Sequence, residues 1–190
     1  MNKNIRLYNE QLIRWLVEKK YINKDKDIRI LDLGSGYGHF YFALKKAGYN
    51  NIYAMDINPK FRGCVKADAT KQLPFPDNFF DLIISRDIAE HIIDSKAFFN
   101  NQYNALMKGG TIIVMTPNAK YLSLGEFYED YTHCMPYTEK SLREALELHN
   151  FDFIHTTTIR AVPLLWKYTT KAFDVVYSDV YNNLLGVGVK

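Results

Sequence analysis

The feature that most constrains the fold of this 190-residue chain is an apolar run that breaks into three alternating glycines. Residues 30–33 contain Asp32 and are followed by Gly34, Gly36 and Gly38. A backbone that leaves a buried strand, turns at once and accepts a ligand against its main chain needs glycine where a Cβ would collide. The pattern therefore predicts a strand, a ligand-binding loop and a helix in succession.

The spacing of these glycines distinguishes between ligands. A dinucleotide fingerprint reads G-x-G-x-x-G, and it would need glycine at position 39, which is His39. Here the spacing is G-x-G-x-G, and Asp32 stands two residues before the first glycine. A carboxylate at this place would repel a phosphate, but it would accept hydrogen bonds from an ammonium group. The loop therefore favours a ligand with a charged amino-acid end.

Residues 32–38 resemble the first motif of the class I S-adenosylmethionine-dependent methyltransferases. The resemblance implies that S-adenosylmethionine is the cofactor and S-adenosylhomocysteine the product, with the amino-acid tail over the glycine loop. The residues of the loop that we expect to contact the cofactor are Asp32, Gly34, Ser35, Gly36, Tyr37 and Gly38.

Polar residues at the ends of the next three predicted strands extend this pattern. Asp56, with Ile57 beside it, lies roughly 20 residues after the loop, where a carboxylate can accept both hydroxyls of a ribose. In the resembling family an acid at the place of Asp68 accepts a hydrogen bond from the adenine amine, and the adjacent backbone, here Ala69, contacts the ring. The resemblance also places three residues at the end of the fourth strand beside the sulfonium, namely Ser85, Arg86 and Asp87.

Strands that alternate with helices predict an α/β fold with a doubly wound, seven-stranded, mainly parallel sheet, an antiparallel last strand and helices on both faces. The predicted strands are residues 28–33, 51–56, 63–67, 79–85, 111–115, 151–159 and 183–189. The predicted helices are residues 5–20, 39–47 and 138–149, with one more that carries Ala97, Phe98, Tyr103 and Leu106. Residues 108–110 are predicted to turn the chain into the fifth strand. We expect one domain over residues 1–190, with an N-terminal helix and loop in 1–27 and an apolar, aromatic insert in 161–181.

Composition and charge exclude several classes of protein. The net charge of +3 and the scattered lysines do not favour a nucleic-acid partner. The two cysteines, Cys64 and Cys134, suggest no disulfide framework and fit a reducing compartment. No apolar stretch reaches the ~18 residues of a membrane span, and the N-terminus has no signal-peptide core. We therefore expect a cytoplasmic protein.

The candidate catalytic residues are His91 and His133, which we expect to meet near the methyl acceptor. Residues 87–91 are predicted to be helical, so that Asp87, Glu90 and His91 share one face. His133 lies in an aromatic and polar segment, residues 130–137, which follows the fifth strand. The resemblance implies that this segment arches over the acceptor pocket.

Three interpretations of these histidines stay open. They can be structural, or one of them can be a general base for a hydroxyl. The third is a divalent cation on Asp87, Glu90, His91 and His133, which would lower the acceptor's pKa. This set resembles that of small-RNA 2′-O-methyltransferases and, in part, of ubiquinone O-methyltransferases. We do not favour a metal, because the first ligand is Asp where those families have Glu.

The methyl acceptor is expected to be a small molecule. Segments 130–142 and 182–190 resemble the small methyltransferases of bacterial surface-polysaccharide and lipid-linked glycan pathways. This implies O-methylation of a sugar or of a nucleotide-linked precursor of a surface glycan. The alternatives are a quinone or other aromatic O-methyltransferase and a noncatalytic module that binds S-adenosylmethionine. The insert 161–181 packs on the sheet, or is a lid, a membrane-surface contact or the face of a homodimer.

Overall fold

A computed structural model describes residues 3–160 and 182–190, and seven strands in it form one sheet. The strands are β1 (Arg29–Leu33), β2 (Asn51–Asp56), β3 (Val65–Lys66), β4 (Phe80–Arg86), β5 (Leu106–Pro117), β6 (Asp152–Arg160) and β7 (Asn182–Val189). Their order is β3-β2-β1-β4-β5-β7-β6, and β7 runs antiparallel to both of its neighbours. This confirms the predicted fold class.

Helices cover both faces of the sheet. They are α1 (Lys3–Glu18), α2 (His39–Lys46), α3 (Ser95–Ala105), the single turn α4 (Leu124–Phe127) and α5 (Glu139–Leu148). Successive side chains of a strand point to opposite faces, so each central strand feeds two apolar layers. Ile30 packs with Leu16 of α1 and Leu44 of α2, whereas its neighbour Leu31 belongs to the layer that contains Phe98 of α3 and Leu142 of α5. The two layers fix the carboxyl ends of β1, β2, β4 and β5 at one edge of the sheet.

The prediction that residues 87–91 form a helix is wrong. Asp87 has a left-handed φ of 54°, which cannot continue an α-helix. Its amide donates instead to the carbonyl of Met115 at 2.9 Å, which extends the pairing between β4 and β5. Only a short 3₁₀ helix, Ala89–His91, follows.

The turn predicted at residues 108–110 is also wrong, because β5 begins at Leu106 and runs through these residues. The backbone of Lys190 continues the ladder there, with the amide of Gly109 2.7 Å from the Lys190 carbonyl. Gly109 has a φ of 79°, so the glycines bend the strand without ending it.

Two predictions concern the part of the chain that the structure does not describe. The insert 161–181 and the homodimer assigned to it lie outside the described residues. Within residues 3–160 and 182–190, no helix has both the length and the apolar character needed to cross a bilayer.

Candidate functional site

The loop between β1 and α2 has the conformation that its glycines allow. Gly34, Gly36 and Gly38 have φ values of 79°, 49° and 75°. A Cβ on Gly38 would lie 2.8 Å from the ring of Phe61, and one on Gly34 would lie 3.1 Å from Ile88. At Gly36 nothing lies within 4 Å of that position. The loop is closely packed at both ends and open in the middle, as a loop that receives a ligand must be.

Asp32 lies beneath this loop and is only 3% exposed. Its carboxylate accepts a hydrogen bond from the amide of Tyr41, 3.1 Å away in the first turn of α2. Burial raises the pKa of Asp32 to about 6, although the charge of Arg86 acts in the opposite direction. A buried carboxylate of this kind is stabilised by a cationic partner, so the site suits an ammonium group. The hydroxyl of Ser35 donates to the Asp32 main-chain carbonyl at 2.5 Å, which helps to hold the turn.

Asp56 connects the loop after β2 to the glycine loop. One of its carboxylate oxygens accepts from the amide of Gly36 at 2.7 Å, and the other accepts from the amide of Asn58 at 2.7 Å. Two apolar side chains stand exposed beside it, Ile57 at 66% and Tyr37 at 68%. A carboxylate can accept hydrogen bonds from the two hydroxyls of a ribose, and exposed apolar groups can pack against a flat ring. This end of β2 therefore fits a ligand that has both a ribose and a flat ring.

Asp68 follows β3, and one of its oxygens accepts from both the amide and the hydroxyl of Thr70, at 2.8 and 2.7 Å. These hydrogen bonds lower the pKa of Asp68. Ala69 beside it is buried, and its carbonyl accepts from the side-chain amide of Asn101 at 3.1 Å. Both predicted residues therefore lie at the same edge of the sheet as the glycine loop, in a turn held by local hydrogen bonds.

The residues predicted at the end of β4 separate in the structure. The hydroxyl of Ser85 is buried, with no hydrogen-bond partner among the described residues. Arg86 turns toward α1, donates to the side-chain carbonyl of Asn9 and lies over the ring of Phe40. Asp87 is 3.6 Å from the Arg86 guanidinium. The contacts that the structure shows for the side chains of Arg86 and Asp87 are thus with other residues of the protein.

The sequence reasoning did not identify Asn9, which is fully buried. A signal for it existed, because Asn9 stands four residues after Ile5 and four before Ile13. A polar residue within the apolar stripe of a helix needs a buried partner. Arg86 is that partner, and the contact holds α1 against the end of β4.

His91 and His133 meet in the structure, with their ring centroids 4.7 Å apart. Glu90 lies beneath them at 1% exposure. One of its oxygens accepts from the Thr116 hydroxyl at 2.8 Å, and the other is 4.0 Å from Nε2 of His91. Burial raises the pKa of Glu90 to about 7. Thr116, at the end of β5, is a further residue that the sequence reasoning missed.

Main-chain hydrogen bonds hold the two histidines together. The carbonyl of Glu90 accepts from the amides of Cys134 and Met135, at 2.8 and 3.0 Å. Nδ1 of His133 is 2.6 Å from the carbonyl of Phe127 in α4. One ligand atom from each of Glu90, His91 and His133 lies within 4.8 Å of the others. Asp87, the first residue of the predicted ligand set, is not in this group.

Comparison with known proteins agrees with this geometry. Residues 1–156 match the family model of a methyltransferase domain. The chain is 30% identical over 159 residues to the uncharacterized protein MJ0638 of Methanocaldococcus jannaschii, which covers 80% of this chain and 67% of that protein. It is 29% identical over 128 residues to the ubiquinone/menaquinone biosynthesis C-methyltransferase UbiE of Vibrio cholerae, over 57% of this chain and 49% of the relative.

A solved structure shows the same fold. Phosphoethanolamine N-methyltransferase 2 of Haemonchus contortus, in complex with phosphomonomethylethanolamine and S-adenosylhomocysteine, superposes with a TM-score of 0.71 at 19% identity. The match covers 96% of this chain and 52% of that one, so this chain spans about half the length of the two named methyltransferases.

The glycine loop, the acid beneath it and the open space at Gly36 fit S-adenosylmethionine, which is the cofactor of this fold family. Because the family model matches most of the chain, the chain belongs to the class I S-adenosylmethionine-dependent methyltransferases.

Proposed function

We propose that the chain methylates an oxygen of a small molecule, in the first place a sugar or a nucleotide-linked precursor of a surface glycan. The observation that carries this proposal is the pair of imidazoles, His91 and His133, beside buried Glu90 at the sheet edge that also carries the glycine loop. A hydroxyl must lose its proton when it attacks a methyl group, and a base nearby accepts that proton.

The proposed cofactor contacts combine the geometry of the glycine loop with what the resemblance to the methyltransferase family implies. Asp32 accepts from the ammonium group, and the backbone of Gly34, Ser35, Gly36 and Gly38 borders the tail. Asp56 accepts from the ribose hydroxyls, and Tyr37 and Ile57 cover the adenosine. Asp68 and Ala69 contact the adenine, and the end of β4 at residues 85–87 lies beside the sulfonium. When bound, S-adenosylmethionine supplies an electrophilic methyl group.

The residues of the acceptor side then align the acceptor and take its proton. Exposed rings border the two histidines along the chain, with Tyr128 in the loop after α4 and Tyr131 at 92% exposure. Aromatic faces pack against the apolar faces of sugars as well as against other rings. This supports a sugar acceptor, and it also supports the alternative of a quinone or other aromatic hydroxyl. The relative UbiE is named as a C-methyltransferase of ubiquinone and menaquinone biosynthesis, so it supports an aromatic acceptor but does not support transfer to oxygen.

A methyl-acceptance screen tests the proposal. Sugar nucleotides and phenols are incubated with labelled S-adenosylmethionine and the wild-type chain, and with His91→Ala and His133→Ala. We expect transfer to a hydroxyl that falls in at least one variant. Unchanged turnover in both variants would exclude the histidines as bases. Cofactor binding with no transfer to any acceptor would support the noncatalytic module, and no binding at millimolar cofactor would overturn the cofactor role.

A second proposal for the same groups is a divalent cation on Glu90, His91 and His133. It is supported by the three ligand atoms that lie within 4.8 Å of one another. Imidazole nitrogen and carboxylate oxygen are ordinary ligands of divalent metals, and a cation here would stabilise the acceptor's oxyanion. Loss of turnover on chelation, restored by Mg²⁺ or Mn²⁺, would favour this proposal over a histidine base. Unchanged turnover with chelator present would exclude it.

A further inference from the structure

The loop that carries His133 also holds a hydrogen-bonded chain that ends on the ring of His91. One oxygen of Asp130 accepts from the amide of Thr132 at 2.9 Å and from its hydroxyl at 2.6 Å. The same hydroxyl oxygen lies 2.8 Å from Nδ1 of His91. A carboxylate, a hydroxyl and an imidazole therefore follow one another, and neither Asp130 nor Thr132 belongs to the candidate site described above.

The direction of these hydrogen bonds follows from counting protons. A threonine hydroxyl has one proton, and an ionised carboxylate can only accept. The hydrogen bonds from Thr132 lower the pKa of Asp130, so this carboxylate is ionised at neutral pH. Thr132 thus donates its proton to Asp130, and its oxygen must accept from Nδ1 of His91. In a neutral imidazole, a proton on Nδ1 leaves the lone pair on Nε2.

The neighbouring ring is fixed in the same way. Nδ1 of His133 lies 2.6 Å from the carbonyl of Phe127, and a carbonyl only accepts, so Nδ1 of His133 carries a proton. Both rings therefore present Nε2 lone pairs. The loop that carries His133 is fixed to the 3₁₀ helix, because the amides of Cys134 and Met135 both donate to the Glu90 carbonyl.

We propose that Thr132 and Asp130 are positioning residues that hold His91 as its Nδ1–H tautomer, so that Nε2 is the atom that accepts the proton of the methyl acceptor. This inference rests on the proposed function for the role of Nε2, but the tautomer itself does not. Without the Thr132 hydroxyl, Nδ1 has no fixed acceptor, and the ring is free to carry its proton on Nε2. That tautomer cannot act as a base at Nε2. The charged or titratable groups around His91 are Glu90, Asp87, Asp130 and His133.

The tautomer is measured directly by long-range ¹H–¹⁵N correlation of the histidine rings in the full chain at about pH 8, above the ordinary pKa of imidazole. The signal of His91 is assigned by its loss in His91→Gln. We expect a protonated Nδ1 and an unprotonated Nε2 in the wild type. Thr132→Ser keeps this pattern, whereas Thr132→Val, which has the same shape without a hydroxyl, gives signal from a protonated Nε2.

Transfer kinetics add a second readout. Thr132→Val is expected to lower kcat about tenfold and to change the pH profile of kcat, with wild-type affinity for S-adenosylmethionine, and Thr132→Ser is expected to restore the rate. A wild-type His91 protonated on Nε2, or a wild-type tautomer and rate in Thr132→Val, would overturn the inference. The predicted tautomers without transfer to any acceptor would count against the proposed function and leave the positioning role standing.

Discussion

The carboxyl edge of the sheet carries two regions that are built in different ways: the proposed cofactor region around the glycine loop, here called the cofactor edge, and the proposed acceptor region around Glu90, here called the acceptor edge. On the cofactor edge the backbone contributes most, since the positive φ values of the glycine loop and the amides of Gly36 and Tyr41 shape a site around two acids. On the acceptor edge, separate segments converge on Glu90 of the 3₁₀ helix after β4: the Thr116 side chain from the end of β5, and the amides of Cys134 and Met135 from the loop before α5. When one short motif forms a site, the ligand of that site can be predicted from the sequence. When distant segments form a site, its ligand cannot be predicted in this way.

Removal of an imidazole should distinguish the functions of the two edges with the largest effect. We expect His91→Ala and His133→Ala to lower kcat, by about 100-fold or more for the ring that acts as the base, because a positioned general base contributes about 10²–10⁴. The affinity for S-adenosylmethionine, measured by titration calorimetry, should stay within about threefold of the wild type. The carbonyl of Phe127 in α4 holds Nδ1 of His133, so circular dichroism must show that each variant keeps the wild-type fold.

The converse change is Asp32→Asn on the cofactor edge. Loss of one charge-assisted contact to the ammonium group should weaken cofactor binding by about 10- to 100-fold. At saturating cofactor we expect kcat to stay close to the wild-type value, since the contacts of Asp32 are with the glycine loop and with the first turn of α2. A cofactor affinity unchanged by this substitution would remove Asp32 from the binding site.

Glu90 gives a prediction about stability and pH. Its pKa is about 7 in the folded protein and about 4.3 in an unfolded chain, so the folded state binds more protons between these values. The contribution of Glu90 to the free energy of unfolding should therefore fall as the pH rises from about 4 to 7, and then level off. Glu90→Gln keeps an acceptor for Thr116 and carries no charge.

Above about pH 7, Glu90→Gln should be more stable than the wild type by about 1–3 kcal/mol, and near pH 4 the two should be equal. Urea unfolding at both pH values measures this difference. Equal stability of the wild type and Glu90→Gln above about pH 7 would show that Glu90 is ionised at low cost in the folded state.

The smallest expected effect compares two glycines. Gly36 and Gly48 both have positive φ, and at neither does any atom lie within 4 Å of the place that a Cβ would take, but only Gly36 lies in the cofactor loop. Alanine at either position should cost about 1 kcal/mol of stability. Only Gly36→Ala should also weaken S-adenosylmethionine binding, by about five- to tenfold, because the new methyl group occupies the open space. Equal cofactor affinity in both variants would mean that the space at Gly36 is not the binding site.

The sequence predicted the fold class and the cofactor well, for a local reason. Glycine spacing and buried strands are patterns that a window of about ten residues contains. Asp32 and Asp56 lie near the ends of neighbouring parallel strands, so the topology of the sheet brings them together. The errors arose where a tertiary contact overrode local pattern. Pairing of the Asp87 amide with Met115 prevents a helix that i, i+3 spacing predicts, and pairing with Lys190 carries β5 through two glycines.

The contacts around His91 and His133 were predicted only in part. His91 and His133 were found as titratable residues that follow β4 and β5, but the sequence does not show that Thr132 reaches across to His91 or that Thr116 contacts Glu90. Both are side-chain contacts between residues more than 25 positions apart in the chain. Such contacts depend on packing that no local pattern records.

The most direct test of the division between the two edges combines two measurements on His91→Ala and Asp32→Asn, with the acceptor that the screen identifies. These are the dissociation constant of S-adenosylmethionine and the single-turnover rate of methyl transfer at saturating cofactor. We expect His91→Ala to bind the cofactor as the wild type does and to transfer about 100-fold more slowly. Asp32→Asn should bind weakly and transfer at nearly the wild-type rate. A loss of cofactor affinity in His91→Ala as large as its loss of rate would contradict the separation of the two edges.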